Sequence, residues 1–167
     1  MSVTTPRGQV LRDHEGLRLE FVRTYDSPIE EVWAALTEPV RVARWIGEVT
    51  GDPATGTVQF LMTEDTDGVP TNVAILECDP PRRLVIDTPT PDGNWLLTMQ
   101  LAVTESGTQL VFTHRMAEPY DATSVGPGWH FYLDRLGAVI AGGAPDAAWE
   151  DYYPSLQSDY PLPHEEA

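Results

Sequence analysis

Val125-Gly-Pro-Gly-Trp-His-Phe-Tyr-Leu-Asp-Arg-Leu-Gly-Ala-Val-Ile-Ala141 reads as a single helix, and its pattern decides what the rest of the chain must supply. At about 100° per residue, Val125, Trp129, Tyr132, Leu133, Leu136, Val139 and Ile140 fall on one stripe. His130, Asp134 and Gly137 fall opposite it. Gly142-Gly143 provides a C-terminal stop, with Pro145 just beyond. A stripe of that size needs a large apolar partner, and the residues before it are patterned as a sheet.

Leu17 to Tyr25 alternates, with Leu17, Leu19, Phe21 and Tyr25 in one phase and Arg18, Glu20 and Thr24 in the other, which predicts a strand with one wet face. Ser27-Pro28-Ile29-Glu30 reads as a capping box with proline at the first helical position. Ile29, Val32, Trp33 and Leu36 then follow helical spacing, and Trp33 is the anchor such a short helix needs. Thr37-Glu38-Pro39 breaks this helix, and Val40 to Ile46 reads as a second one carrying Trp45.

From Gly51 to Arg115 the period becomes two. Strands are predicted at Val58–Met62, Asn72–Cys78, Leu84–Thr88, Trp95–Val103 and Thr108–Met116, turned by Asp67-Gly68, Asp79-Pro80-Pro81, the loop ending in Asp92-Gly93, and Ser106-Gly107. Such short connections leave no room for crossover helices, so the strands form an antiparallel meander. With Leu17–Tyr25 the sheet has six strands. The expected architecture is α+β: a curved six-stranded antiparallel sheet wrapped around the long C-terminal helix, with two short helices between strands 1 and 2. Residues 1–16 read as a loose N-terminal arm and 17–143 as a single domain. Residues 144–167 form an acidic tail rich in aromatics (Trp149, Tyr152, Tyr153, Tyr160). It is expected to pack back on the domain to about residue 161, or alternatively to join a second copy in a homodimer.

Charge excludes some functions. Ten Lys+Arg against 26 Asp+Glu give a formal charge of −16 over 167 residues, which repels a phosphate backbone and anionic lipid alike. Neither nucleic acid nor a membrane is an expected partner. No apolar run approaches a membrane span and the N-terminus lacks a hydrophobic signal region, so a cytoplasmic location is expected. The single Cys78 cannot form an internal disulfide and reads as a small core residue.

The motifs carry a resemblance. Ser27-Pro-Ile-Glu-Glu-Val-Trp-Ala-Ala-Leu-Thr-Glu-Pro39 with Trp45 is the first, and Glu77-Cys-Asp-Pro-Pro-Arg-Arg-Leu84 is the second. Gly107-Thr-Gln-Leu110 with Thr113-His114, and Gly128-Trp129 with Leu133-Asp-Arg-Leu136, complete the series. Together they resemble the SRPBCC (START-like) superfamily, in the branch named for the activator of the heat-shock-protein-90 ATPase. The resemblance runs from about Leu17 to Gly143 and implies a helix-grip fold. The eukaryotic activators carry an additional N-terminal chaperone-binding domain, for which residues 1–16 are too short. The superfamily also contains polyketide cyclases and aromatases, and some bacterial relatives protect against reactive antibiotics by binding them and being cleaved.

A sheet that bends around a helix leaves apolar volume beneath it. Strand phase and helix stripe nominate Phe60, Met62, Val73, Ile75, Ile86, Trp95, Leu97, Met99, Phe112, Trp129, Leu133 and Leu136 as ligand-binding residues, the competing reading being plain core packing. His114 shares the phase of Leu110, Phe112 and Met116 and so points inward beneath the helix, either to orient a polar ligand atom or, as the favoured reading, as a core histidine bonded to a backbone carbonyl or a neighbouring side chain. Glu77 shares the phase of Val73 and Ile75, with Arg115 or Tyr132 as a partner. No nucleophile elbow, P-loop, HExxH or dinucleotide fingerprint occurs, and His14, His114, His130 and His164 are too scattered for a metal site. No cofactor or metal is expected. The leading expectation is non-catalytic binding of a small hydrophobic or aromatic ligand. A cyclase-like enzyme using His114, Glu77 or Tyr132 for proton transfer is the second reading. A protein-interaction, cochaperone-like or antibiotic-sequestering module is the third.

Overall fold

The computed structural model describes residues 8–14, 16–62, 69–90, 93–115, 122–145, 148–153 and 156. Eight strands form one antiparallel sheet: β1 (Gln9–Asp13), β2 (Gly16–Tyr25), β3 (Gly47–Thr50), β4 (Thr57–Met62), β5 (Thr71–Asp79), β6 (Arg83–Thr90), β7 (Gly93–Val103) and β8 (Thr108–Arg115). Their order is β1-β2-β8-β7-β6-β5-β4-β3. Helices α1 (Ile29–Thr37) and α2 (Pro39–Trp45) carry the chain from β2 to the far edge at β3, and α3 (Ala122–Ile140) lies across the sheet. The α+β helix-grip architecture therefore holds, with eight strands rather than six.

The two additional strands lie at the two edges of the sheet. Gln9–Asp13, inside the stretch read as a loose arm, pairs with β2 through Val10↔Leu19 and Arg12↔Leu17. The reversal between them uses Gly16 at φ +117°, a conformation open to glycine at no steric cost. The four-residue β3 pairs with β4 directly after α2. The Asp67-Gly68 turn, Asp92, Met116 and the tail beyond Leu156 lie outside the described residues.

In β2, Leu17, Leu19 and Phe21 are buried as the alternation demands, but so is Arg23, which shares their inward phase. The start of α1 differs from the capping-box reading. Pro28 is itself the N-cap, extended at φ −61° and ψ 152°, and no side chain caps the helix. The carbonyl of Ser27 instead accepts from Thr108 Oγ1 at 2.7 Å. At the neighbouring turn, a Cβ on Gly107 would fall on the carbonyl oxygen of Tyr25 and lie 3.0 Å from Ser27 N. The β7–β8 turn is thus clamped against the β2–α1 junction. The two short helices are tied together by Trp45 Nε1 donating to Ala35 O at 2.8 Å. Arg135 of α3 donates to Trp45 O at 3.0 Å and Pro145 O at 2.7 Å, placing a cation at the C-terminal end of α2, where the helix dipole favours it.

The α3 stripe packs as patterned: Trp129, Tyr132, Leu133, Leu136 and Val139 are buried in the core. The opposite side is not solvent-facing. His130 is fully buried and Asp134 nearly so, because β2 covers this side from below and the C-terminal segment folds over it. Trp149 packs edge-on to Phe131 at 5.2 Å between centroids, and Tyr152 likewise at 5.4 Å. At the C-terminus of α3, Gly142 turns left-handed at φ +82° and Gly143 N donates to Ala138 O at 2.8 Å.

Candidate functional site

The concave face of the sheet is built from cross-strand rows. Ile75, Ile86, Leu97, His114 and Leu19 are direct neighbours across five strands, and Leu84, Met99, Phe112 and Phe21 form the next row. The second row is buried, as are Leu97, Val73, Trp129, Leu133 and Leu136. Phe60, Ile75, Ile86 and Trp95 are only half-buried against the core. Met62 lies in β4, and its side chain is outside the described residues. The helix thus closes one part of the concave surface and leaves the part formed by β4 to β7 less covered.

His114 stands where these parts meet. Trp129 Nε1 donates to His114 Nδ1 at 2.9 Å, so in the neutral ring the proton sits on Nε2. The imidazole packs 4.6 Å from the Trp95 ring and edge-on to Trp129 at 6.0 Å. Burial in these apolar surroundings pulls its pKa down to about 4, and the ring is neutral at pH 7. Phe112 lies 4.6 Å from the Trp129 ring, extending the aromatic cluster inward. Tyr132 is buried between Trp129 and Phe131, at 6.3 and 5.0 Å between ring centroids.

Glu77 does not join this group. A bulge between Ile75 and Glu77 inserts Leu76 into β5, so Ile75 faces Ile86 while Glu77 faces Val85. The extra residue flips the phase. Glu77 therefore shares the convex side with Val85 and pairs there with Arg83 at 3.0 Å, rather than with Arg115 or Tyr132. Cys78 is likewise exposed rather than a core residue.

A second polar cluster lies beside β2, on the flank of α3 away from its apolar stripe. Arg23 Nη1 and Asp134 Oδ1 are 2.7 Å apart, with side chains 7% and 10% exposed. The other carboxylate oxygen accepts from Tyr152 Oη at 2.6 Å, and His130 Nε2 lies 3.6 Å from it. Burial raises the pKa of Tyr152, and its hydrogen bond to Asp134 raises it further. Burial likewise holds the Tyr25 phenol above its ordinary value, with Arg23 opposing and Asp134 reinforcing the effect. Opening onto this cluster is a cleft of about 420 Å³, lined by Arg23, Thr24, Tyr25, Asp26 and Ser27 on one side and by the end of α3, from Leu133 to Ile140, with Ala141 on the other. Of the residues nominated from sequence, only Leu133 borders it. The signal for the others was present: Arg23 lies in the inward phase of β2, and 130, 134, 137 and 141 share one flank of α3.

Among the described residues no group of His, Cys, Asp or Glu side chains is placed to hold a metal ion. No described helix is long and apolar enough to cross a membrane.

Residues 26–141 match the family described as activator of Hsp90 ATPase homolog 1-like protein. The chain belongs to that family. Its match begins at the β2–α1 junction and ends with α3, so both the concave face and the cleft are formed largely from family residues. Among solved structures of similar fold is that of CalU16 from Micromonospora echinospora. It is 30% identical, with 83% of this chain and 87% of CalU16 covered and a TM-score of 0.66. DynU16, a protein of the dynemicin biosynthetic locus, is similar at 20% identity over 82% of this chain and 50% of its own, with a TM-score of 0.67. A protein from Arthrobacter aurescens is similar at 20% identity over 81% and 92%, with a TM-score of 0.68. The latter two likenesses concern the fold. No match was found among curated proteins.

Proposed function

We propose that this member of the activator of Hsp90 ATPase homolog 1-like family is a non-catalytic binding protein. Its ligand is a small apolar or aromatic molecule, held between the concave face of the sheet and the N-terminal half of α3. The observation that supports this reading is the half-buried state of Phe60, Ile75, Ile86 and Trp95 beside a fully packed core. Covering apolar surface is worth about 25 cal/mol per Å², so residues of this size left half open on an inner face favour an occupant. His114, fully buried, neutral and held by Trp129, places no charge beneath this surface. The surplus of 26 acidic over 10 basic residues disfavours anionic ligands. Binding without turnover is preferred to proton-transfer chemistry because Glu77 lies on the opposite face of the sheet and His114 is packed between Trp95 and Trp129.

A titration with the neutral fluorophore N-phenyl-1-naphthylamine, followed by probe fluorescence and by backbone amide shifts, tests this. Saturable enhancement is expected, with shifts at Ile75, Ile86, Trp95 and Trp129 and competition by aromatic polyketides. Ile86→Gln, at a half-buried position, should weaken binding about tenfold while leaving the fold intact. A flat titration, or shifts confined to other surfaces, would sink the proposal.

A further inference from the structure

A separate feature, independent of the concave face, is the cleft between the end of β2 and the C-terminal half of α3. Its floor is rigid. Gly107 abuts the Tyr25 carbonyl and Thr108 Oγ1 bonds the Ser27 carbonyl, so the Tyr25-Asp26-Ser27 segment is fixed before anything enters. Beyond Asp134, its helical wall is apolar, chiefly from Ala138, Ile140 and Ala141. The Tyr25 ring lies close to the helix where Gly137 has no side chain, and a Cβ there would meet Tyr25 Cε1 at 3.7 Å. The Tyr25 hydroxyl is sealed from solvent and has no hydrogen-bond partner among the described residues, so an occupant meets the ring rather than the oxygen.

Charge then selects the occupant. Arg23, the only cation lining the cleft among the described residues, is paired with Asp134, whose second oxygen accepts from Tyr152. Asp26 is exposed at the rim and forms no ion pair among the described residues, so the lining carries an uncompensated negative charge in a chain already at −16. A volume of about 420 Å³ is within the range of small-molecule sites. We infer that this cleft binds a small amphipathic amine, its apolar body against Ala138 and Ile140 and its ammonium group beside Asp26 and the Tyr25 ring. The aromatic face and the carboxylate both favour a cation over a neutral or anionic analogue.

Three probes with one ring system test this on the full chain: tryptamine (cation), 3-ethylindole (neutral) and indole-3-acetate (anion), each followed by amide shifts. The expected result is saturable tryptamine binding with shifts at Ser27, Gly137, Ala138 and Ala141. Affinity should fall as salt is added, 3-ethylindole should bind more weakly, and indole-3-acetate should not bind. Asp26→Asn should weaken tryptamine about fivefold. Ala141→Trp, at an exposed position, should fill the mouth and abolish the shifts without altering the melting temperature. Equal binding of tryptamine and 3-ethylindole, or an unchanged affinity in Asp26→Asn, would overturn the charge selection. Absence of cleft shifts, or shifts only at Ile86 and Trp95, would overturn the site.

Discussion

Arg23 of β2 and Asp134 of α3, 111 residues apart in sequence, meet at 2.7 Å in the wall of the cleft and join the first long strand to the long helix. The side chains are only 7% and 10% exposed, so removing one partner takes its nearest counter-charge from the other in a mostly buried place. Asp134→Ala is expected to lower stability by about 3–5 kcal/mol in chemical denaturation. The double variant Arg23→Met/Asp134→Leu should recover most of that loss, because it removes the stranded charge as well as the attraction. If the double variant were as unstable as the single one, the pair would be stabilising through more than mutual neutralisation.

Tyr152 completes this cluster from the C-terminal segment by donating to Asp134 Oδ2 at 2.6 Å. A hydrogen bond to a charged group is worth about 1.5–3 kcal/mol. Tyr152→Phe keeps the ring against Phe131 and His130 and should cost about that much. Amide exchange should report where the loss falls. Faster exchange confined to residues 148–153 would mark local undocking of the segment, and a uniform increase would mark global destabilisation.

How far these features could be read in advance depended on whether their cause was local. The α3 stripe and the β2 alternation are periodic over ten or more residues, so packing obeyed them. Strand β1 has only Val10 and Leu11 as apolar residues in a polar run, and it exists because β2 offers an edge to pair with. The bulge at Leu76 is hidden for another reason. A one-residue insertion leaves alternation on both sides intact, so Glu77 looks in phase with Ile75 while facing the other way. Asp134 reads locally as a surface charge opposite the α3 stripe, and Arg23, though in the inward phase of β2, has no partner legible nearby in the sequence. Only the fold, by laying α3 against β2, brings the two together as one pair.

Gly107 is required by steric space, since a Cβ there would fall on the Tyr25 carbonyl oxygen. The neighbouring atoms are backbone and cannot rotate away. Gly107→Ala should cost about 2 kcal/mol or more, as overpacking in a tight site does. The displacement should reach Ser27 and the start of α1 through the Thr108 bond. Shifted amides at Tyr25–Ile29 would verify that route, and an Ala variant as stable as the parent would refute the clamp.

The neutral His114 gives the fold a defined pH response. Its pKa is about 4 in the folded protein and 6.5 for an unperturbed ring, so between these values the unfolded chain binds the additional proton. The contribution is fully present above pH 6.5, declines as pH falls toward 4 and levels off below. At 1.36 kcal/mol per pH unit, the full span amounts to about 3 kcal/mol. Carboxylates titrate in the lower part of the same range, so the measurement must be a difference. His114→Gln keeps an acceptor for Trp129 Nε1 and removes the titrating group. Subtracting its denaturation free energies from those of the parent should give a flat line above pH 6.5 and a decline below it. NMR offers an independent check, with the His114 ring resonances unchanged between pH 7 and 5. A ring that titrates near 6.5 would mean that solvent reaches it beneath α3.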